Sequence, residues 1–191
     1  MRRRALLFSL FIALLAVPVL LAPAGATATQ TAGAQREPTL EQAVLREVNR
    51  LRQARGLRQL TLSSPLQAAA AFQSRDMLEH GYFDHEQPGG VPFSDRLKRF
   101  YPLIGGAAWT VGENLLWSSP TITATSAVKL WLGSPPHRRN IYDPAWREVG
   151  VGVFSTPAAA GIYAQANGPV FVVTMDYGSR AAGRTTSAQR S

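Results

Sequence analysis

No cysteine occurs anywhere in the 191 residues, and that absence does most to narrow what the chain can fold into. It excludes a disulfide framework, a thiolate zinc site, an iron–sulfur cluster and a cysteine nucleophile, and it leaves no thiol for a lipid anchor. Stability has to come from a packed apolar core. With 46% hydrophobic and 17% charged residues the composition is globular, neither disordered nor fibrous. The length suits one domain, large enough to bury such a core.

The N-terminus reads as an export signal. Arg2, Arg3 and Arg4 precede an uncharged apolar run, Ala5 to Ala22, and small residues at Ala24-Gly25-Ala26 and Ala26-Thr27-Ala28 offer cleavage sites. The run is short for a membrane span, and Pro18 and Pro23 interrupt it. Residues 1–28 are therefore expected to be a cleaved signal peptide that leaves no stable membrane anchor, with the protein secreted, extracellular or associated with a cell wall. Cleavage removes three Arg from a formal charge of +8, and the remaining cations are spread along the chain. Nucleic-acid binding would need a dense basic stripe with interleaved aromatics. None is present, so nucleic acid is not an expected partner.

Residues 29–38 are small, polar and aperiodic and read as a linker, and residues 179–191 read as a disordered tail. The folded unit is then 39–178. Thr39 and Gln42 fit a capping box, followed by Leu40, Val44, Val48 and Leu51 at helical spacing, with Gly56 as a stop. A second helix starts from Ser64-Pro65, runs through the alanines to Glu79 and ends at Gly81. Further helices are expected over Phe93 to Phe100, over Thr123 to Leu132 with Ala127, Leu130 and Trp131 on the apolar side, and from Ser134-Pro135-Pro136 through Ile141. Trp131 should be core. Val149 to Ser155 and Val170 to Tyr177 read as strands without polar alternation, so both of their faces should be covered. Gly161 to Ala166 is open between strand and loop. Helices first and strands last indicate an α+β fold, either simple or a three-layer α/β/α sandwich.

No nucleophile elbow, phosphate loop or dinucleotide fingerprint is present, and the His85-Glu86 pair has Gly89 where a zinc-binding helix would place its second His. Three segments carry candidate chemistry. His85 follows Phe83-Asp84 and precedes the turn Gln87-Pro88-Gly89-Gly90, which can hold its ring toward a cleft. Glu113 stands in a polar-poor stretch between Trp109 and Trp117, where a carboxylate must be paired, hydrogen-bonded, protonated or part of a site. His137 and Asn140 share a face of the Ser-Pro-Pro helix.

Together and in this order, Phe83-Asp84-His85, Arg96-Leu97, Gly112-Glu113-Asn114, Trp131, Ser134-Pro-Pro-His137-Arg-x-Asn140-Ile141, Glu148-Val-Gly-Val-Gly152 and Val172-Val-Thr-x-Asp176-Tyr-Gly178 resemble the CAP superfamily of SCP-like extracellular domains, in a bacterial, cysteine-free form. The resemblance implies a three-layer α/β/α sandwich with a small antiparallel sheet between helix layers and an open cavity. In the family, two His and two acidic residues line that cavity and can hold a divalent ion, commonly zinc. His85 and Glu113 match the first His and first Glu. Where other members place the second pair, this chain has Ser134 and Ala145-Trp146-Arg147-Glu148, with His137 and Glu148 as substitutes. The expected metal ligands are thus His85, Glu113 and His137 around a weakly bound zinc or other divalent cation, with Tyr82, Asn140 and Glu148 orienting them. Three functions are compatible with this. One is a non-enzymatic binding module for an ion, lipid, glycan or peptide, or for a cell-wall component. The second is a metal-assisted hydrolase with Glu113 as base. The third is a structural or signalling surface protein with a vestigial cavity. The binding module is the preferred expectation.

Overall fold

A computed structural model describes residues 33–103 and 109–180. The expected signal peptide, the first part of the linker and the tail from 181 lie outside the described residues. In chain order the elements are β1 (Gln35–Arg36), α1 (Pro38–Gln53), β2 (Thr61–Leu62), α2 (Ser64–His80), α3 (Phe93–Phe100), β3 (Trp109–Ser118), α4 (Ala124–Gly133), α5 (Pro135–Tyr142), β4 (Glu148–Thr156) and β5 (Val170–Arg180), with a single 3-10 turn at Gly161–Tyr163.

The strands make one sheet in the order β1-β4-β5-β3, with β2 added parallel to β4. The β3–β5 and β4–β5 pairs are antiparallel, with Glu113 opposite Asp176 and Gly150 opposite the same Asp176 on the other side. Side-chain alternation then divides the strands between two layers. Val149, Val151 and Val153 of β4 and Val173, Met175 and Tyr177 of β5 pack with Val44 and Val48 of α1, Val128 and Trp131 of α4 and Ile141 of α5. On the other face, Leu115 and Val172 meet Met77 and Leu78 of α2, and Leu66 and Ala69 of α2 meet Leu97 of α3. The result is the expected α/β/α sandwich.

The Val-Gly-Val-Gly pattern of β4 has a direct cause. Its valines fill the α1 side, while on the other face α2 lies so close that a Cβ on Gly150 would come within 2.1 Å of the Leu66 carbonyl carbon, and one on Gly152 within 2.3 Å of that of Ala70. An alanine-rich helix and a glycine-bearing strand are the two halves of one backbone-to-backbone contact. Trp131 is 1% exposed, and its indole N–H donates to the Leu115 carbonyl at 2.9 Å.

Several sequence expectations are corrected. Glu37, not Thr39, precedes the first helix, which opens on Pro38 with no side-chain cap, because the chain has already joined the sheet through Gln35 and Arg36, paired with Ser155 and Phe154. The linker therefore ends before residue 35. Ser63 replaces Ser64 as the residue before α2. Leu130 is 55% exposed, since Ala127, Val128 and Trp131 already form the buried stripe of α4. The segment from Gly161, open in the sequence between strand and loop, is a 3-10 turn. Ser179 and Arg180 continue β5 by pairing with Thr110 and Trp109. Strand β3 was not foreseen, because Gly112, Glu113 and Asn114 interrupt its apolar character with residues of low strand propensity.

Two outcomes follow from this packing. Gly150→Ala should lower stability by about 1–3 kcal/mol or more through overpacking, whereas Gly133→Ala, with nothing within 4 Å of the added methyl, should leave the melting temperature unchanged or raise it. Thermal unfolding of the two variants checks the contrast. Trp131→Ala should cost about 3–5 kcal/mol in the same measurement.

Candidate functional site

Edge strand β3 is the meeting line of the two layers, and the candidate residues converge there. The turn carrying His85 leaves α2 through Gly81, whose φ of 69° suits glycine and whose carbonyl accepts from the Ile162 N–H at 3.0 Å. Three further bonds fix the turn. The Tyr82 hydroxyl donates to Asp76 at 2.6 Å, the side-chain amide of buried Gln73 donates to the Asp84 carbonyl at 2.9 Å, and the Glu86 N–H donates to the Asp84 carboxylate at 3.1 Å. His85 is thereby aimed at β3, with its Nδ1 2.8 Å from Glu113 Oε1 and its ring centroid 6.1 Å from that of Phe93.

Glu113 is 1% exposed in its side chain, and its second oxygen accepts from Arg96 Nη2. Arg96, fully buried on α3, also donates through Nη1 to Asp176 Oδ2 and to the Ala69 carbonyl, each at 3.2 Å. His85, Glu113, Arg96 and Asp176 thus form one chain of contacts running from the cleft into the core. Two buried carboxylates share one guanidinium. Burial raises the Asp176 carboxyl well above the usual Asp range; Arg96 opposes this and Glu113 reinforces it. The hydrogen bond to Glu113 raises the His85 imidazole above its ordinary value, against the opposing effect of burial.

On the other side of β3, helix α5 follows Ser134, with Pro135 and Pro136 in its first turn. Asn140 Nδ2 donates to the Glu113 carbonyl at 3.1 Å and to Asn114 Oδ1 at 2.9 Å, and Asn114 Nδ2 donates to the His137 carbonyl at 3.1 Å and to the Tyr177 hydroxyl at 3.2 Å. This amide pair pins α5 to the sheet. Buried Arg52 holds its C-terminal end by donating to the carbonyls of Ile141 at 2.8 Å and Asp143 at 2.9 Å. His137 is half-buried, its Nδ1 has no hydrogen-bond partner among the described residues, and its imidazole is lowered by burial and then by the nearby His85.

Between these walls lies an open cleft of about 580 Å³ that includes His85, Glu113, His137, Asn140, Phe93 and Pro136, with Asp84 and Glu86 also in its lining. His85, Glu113 and His137 therefore line one cleft. The orienting residues are placed differently from expectation. Tyr82 bonds Asp76 and steadies the turn, not the imidazole. Asn140 holds main chain and Asn114. Glu148 accepts from the Tyr101 hydroxyl and lies 3.5 Å from Arg180, outside the cleft lining.

The donor set does not fit a resident zinc ion. Both Glu113 oxygens are engaged, so of the three expected ligands the imidazole nitrogens of two histidines remain unspent, one short of the three protein ligands of an open zinc site. Among the described residues no group of three or more His, Asp or Glu is placed to hold a metal ion. The His85–Glu113 contact would orient a metal-bound imidazole, but Glu113 itself is not a free ligand. Sequence reading assigned no site role to Arg96, Asp176, Asn114 or Arg52. The signal for Arg96 was present: it lies on the same helical face as Phe93, Leu97 and Phe100, an apolar stripe on which a charge must find a buried partner. Asp176, a lone carboxylate in an apolar strand, carried the same signal as Glu113.

Residues 45–177 match the CAP, cysteine-rich secretory protein, family. The chain belongs to the CAP family. Its cysteine-free CAP domain is 37% identical over 134 residues to an uncharacterized protein, YkwD, of Bacillus subtilis, a match covering 69% of this chain and 49% of the relative. It is 30% identical over 117 residues to an uncharacterized membrane protein, YlbC, of the same organism, covering 61% and 32%. The chain thus spans half or less of the length of these curated relatives. Two solved structures share the fold. One is an extracellular SCP-domain protein from Bacillus anthracis, with a TM-score of 0.57 and 24% identity over 74% of this chain and 40% of the other. The second is an outer surface protein from Borrelia burgdorferi, with a TM-score of 0.60 and 20% identity over 78% and 99%. No helix among the described residues is long and apolar enough to cross a membrane.

The two cleft histidines should titrate on opposite sides of an ordinary imidazole near pH ~6.5, His85 above and His137 below. A raised folded-state value means that the His85–Glu113 contact contributes stability in full below pH ~6.5, lost as pH rises through the folded midpoint; the lowered His137 contributes above pH ~6.5, and this is lost as pH falls through its own. Side-chain NMR titration should show both midpoints, and Glu113→Gln should bring that of His85 down.

Proposed function

We propose that this CAP-family protein is an exported binding module whose β3-edge cleft holds a small polar ligand, a peptide or glycan segment, without turning it over. The observation that carries this reading is the state of Glu113. It is the buried carboxylate of the cleft and the natural candidate for a general base, yet one oxygen is held by His85 and the other by Arg96. A base must be free to take a proton from a water or substrate within hydrogen-bond reach, and Glu113 instead serves as the anchor of an internal network. Among the described residues the cleft lining has no Ser, Thr, Cys, Lys or Tyr to act as a nucleophile. What it offers is recognition: Phe93 and Pro136 as apolar walls, two imidazoles with different proton affinities, and acidic side chains at Asp84 and Glu86. Such a mix of apolar surface and few oriented polar groups is characteristic of small-ligand sites. Export is supported by the N-terminal pattern and agrees with the extracellular and outer-surface proteins that share the fold.

The test uses the His85 and His137 NMR signals with an N-acetylated chito-oligosaccharide and with an alanine-rich tetrapeptide as probes. At least one probe should give saturable shifts at both histidines with no products after prolonged incubation. Turnover that disappears in Glu113→Gln would overturn the binding reading in favour of a hydrolase. Unmoved histidines with both probes would point to a vestigial cavity.

A further inference from the structure

The outer faces of the two helix layers differ in charge. On and just after α1 stand Arg46, Arg50, Arg55 and Arg58, all exposed. The α4–α5 part of the same layer adds exposed Lys129, Arg138 and Arg139, with Arg147 just beyond. The acids of this layer are few: Glu41 is buried, Glu47 is spent on Arg50 at 2.7 Å, and Asp143 is partly buried at the end of α5. The α2–α3 layer is close to balance. There Glu79, Asp84, Glu86 and Asp95 are exposed against Arg75, Lys98 and Arg99.

The basic layer is also built to receive something. Along the outer face of α1 runs an open groove of about 390 Å³, lined by Arg46, Arg50, Gln42, Gln53 and Gln59 over Leu45. Asn49, which also borders it, is spent on the Leu60 main chain in both directions. The remaining rim is guanidinium and amide. Arg50 is held by Glu47 through Nε at 2.8 Å and Nη2 at 2.7 Å, so Arg46, one helical turn away, supplies the unpaired guanidinium of the groove. Arg55 lies 3.6 Å over the Tyr142 ring and joins the α1 end to the α5 end, so the positive surface continues across the seam between these helices. Arg46, Arg58, Lys129 and Arg139 have no ion pair or side-chain hydrogen bond among the described residues, which leaves their donors free.

We infer that the α1–α4–α5 layer is a docking face for a linear polyphosphate-type polyanion, seated along the α1 groove on the outer side of the layer. Charge complementarity selects an anion, and the spread of unpaired cations over the layer, Arg46 and Arg58 on and after α1, Lys129 on α4 and Arg139 on α5, selects a polymer over a single ion. The predominance of Arg favours phosphate, because the planar guanidinium makes paired hydrogen bonds to it. An anionic bilayer fits less well: of the exposed large hydrophobic residues, Leu130 alone lies on α1, α4 or α5, so the face lacks the apolar residues with which surface-bound helices enter lipid. The near-balanced α2–α3 layer attracts a polyanion less than the basic one, which orients the molecule on the polymer.

The experiment compares binding of the full chain to linear polyphosphate, to vesicles of phosphatidylglycerol in phosphatidylcholine, and to a duplex oligonucleotide of matched charge. Binding to polyphosphate should be strong at about 50 mM salt and fall steeply toward about 200 mM. The combined change Arg46→Glu, Arg58→Glu and Arg139→Glu should weaken it by at least about tenfold, through like-charge repulsion on the face. Lys98→Glu with Arg99→Glu, on the α2–α3 layer, should leave it within about twofold, as expected of sites outside the contact. All five positions are exposed, and unchanged melting curves check the fold. The neutral set Arg46→Gln, Arg58→Gln and Arg139→Gln should give an intermediate loss. Equal losses in both layers would reduce the effect to net charge and overturn the proposal. Tighter binding to vesicles or to the duplex would overturn it in favour of a bilayer or a nucleic acid, and no binding at low salt would overturn it outright. The cleft is tested separately by its own probes, and the signal of His85, on the wall formed by the α2–α3 side, should not move with polyphosphate.

Discussion

One guanidinium, sealed between two carboxylates, sets the organisation of the site. Arg96 comes from α3, Glu113 from β3 and Asp176 from β5 at the position opposite Glu113, and all three side chains are essentially without solvent. A buried charge deprived of its partner costs about 3–5 kcal/mol, so none of the three can leave independently. The network therefore fixes α3 on the sheet and fixes which Glu113 oxygen remains for His85. The orientation of a cleft residue that is 47% exposed is inherited from the core behind it.

The two edges of the sheet are treated differently, and that difference positions the cleft. On β4 the open stretch between the short strands β1 and β2 is closed by side chains. The Val151 N–H donates to Gln67 Oε1 at 3.2 Å and the Val153 N–H to Glu41 Oε1 at 3.1 Å, while Glu41 also accepts from Arg36 and Gln67. An edge satisfied in this way offers little to a pairing strand. On β3 the edge is bordered instead by the His85 turn from one layer and α5 from the other. Asn114 and Asn140 hold the second wall as Arg96 holds the first, so the cleft is a seam between layers in which both oxygens of Glu113 are already engaged.

Family membership does not carry a ligand set with it. In this cysteine-free member the pairing of Glu113 with both His85 and Arg96 removes a carboxylate that a metal would need, and Glu148 is spent on Tyr101 and Arg180. The outer faces of the helix layers differ in charge, and the basic face lies on the outside of the layer whose inner edge borders the cleft.

The sequence by itself determined the layers and most of their boundaries. Helical spacing of apolar residues, Ser-Pro starts and Gly stops are local signals, and the Val-Gly-Val-Gly run of β4 already implied a strand covered on both faces. It also singled out His85, Glu113 and His137, because a titratable group inside an apolar or turn-bound segment is conspicuous without any fold. Only the tertiary structure decided what those groups do. Whether Glu113 is a ligand, a base or an anchor depends on Arg96, 17 residues away in the chain, and on Asp176 across the sheet, and no local pattern encodes that pairing. The same holds for β3, whose Gly-Glu-Asn centre is tolerated as strand because β5 and the buried partners stabilise it. It holds again for the basic layer, where cations interspersed among buried valines become one face only once α1, α4 and α5 pack side by side. Propensity and periodicity act over a few residues, while charge compensation and surface continuity are settled by contacts between residues far apart in the chain.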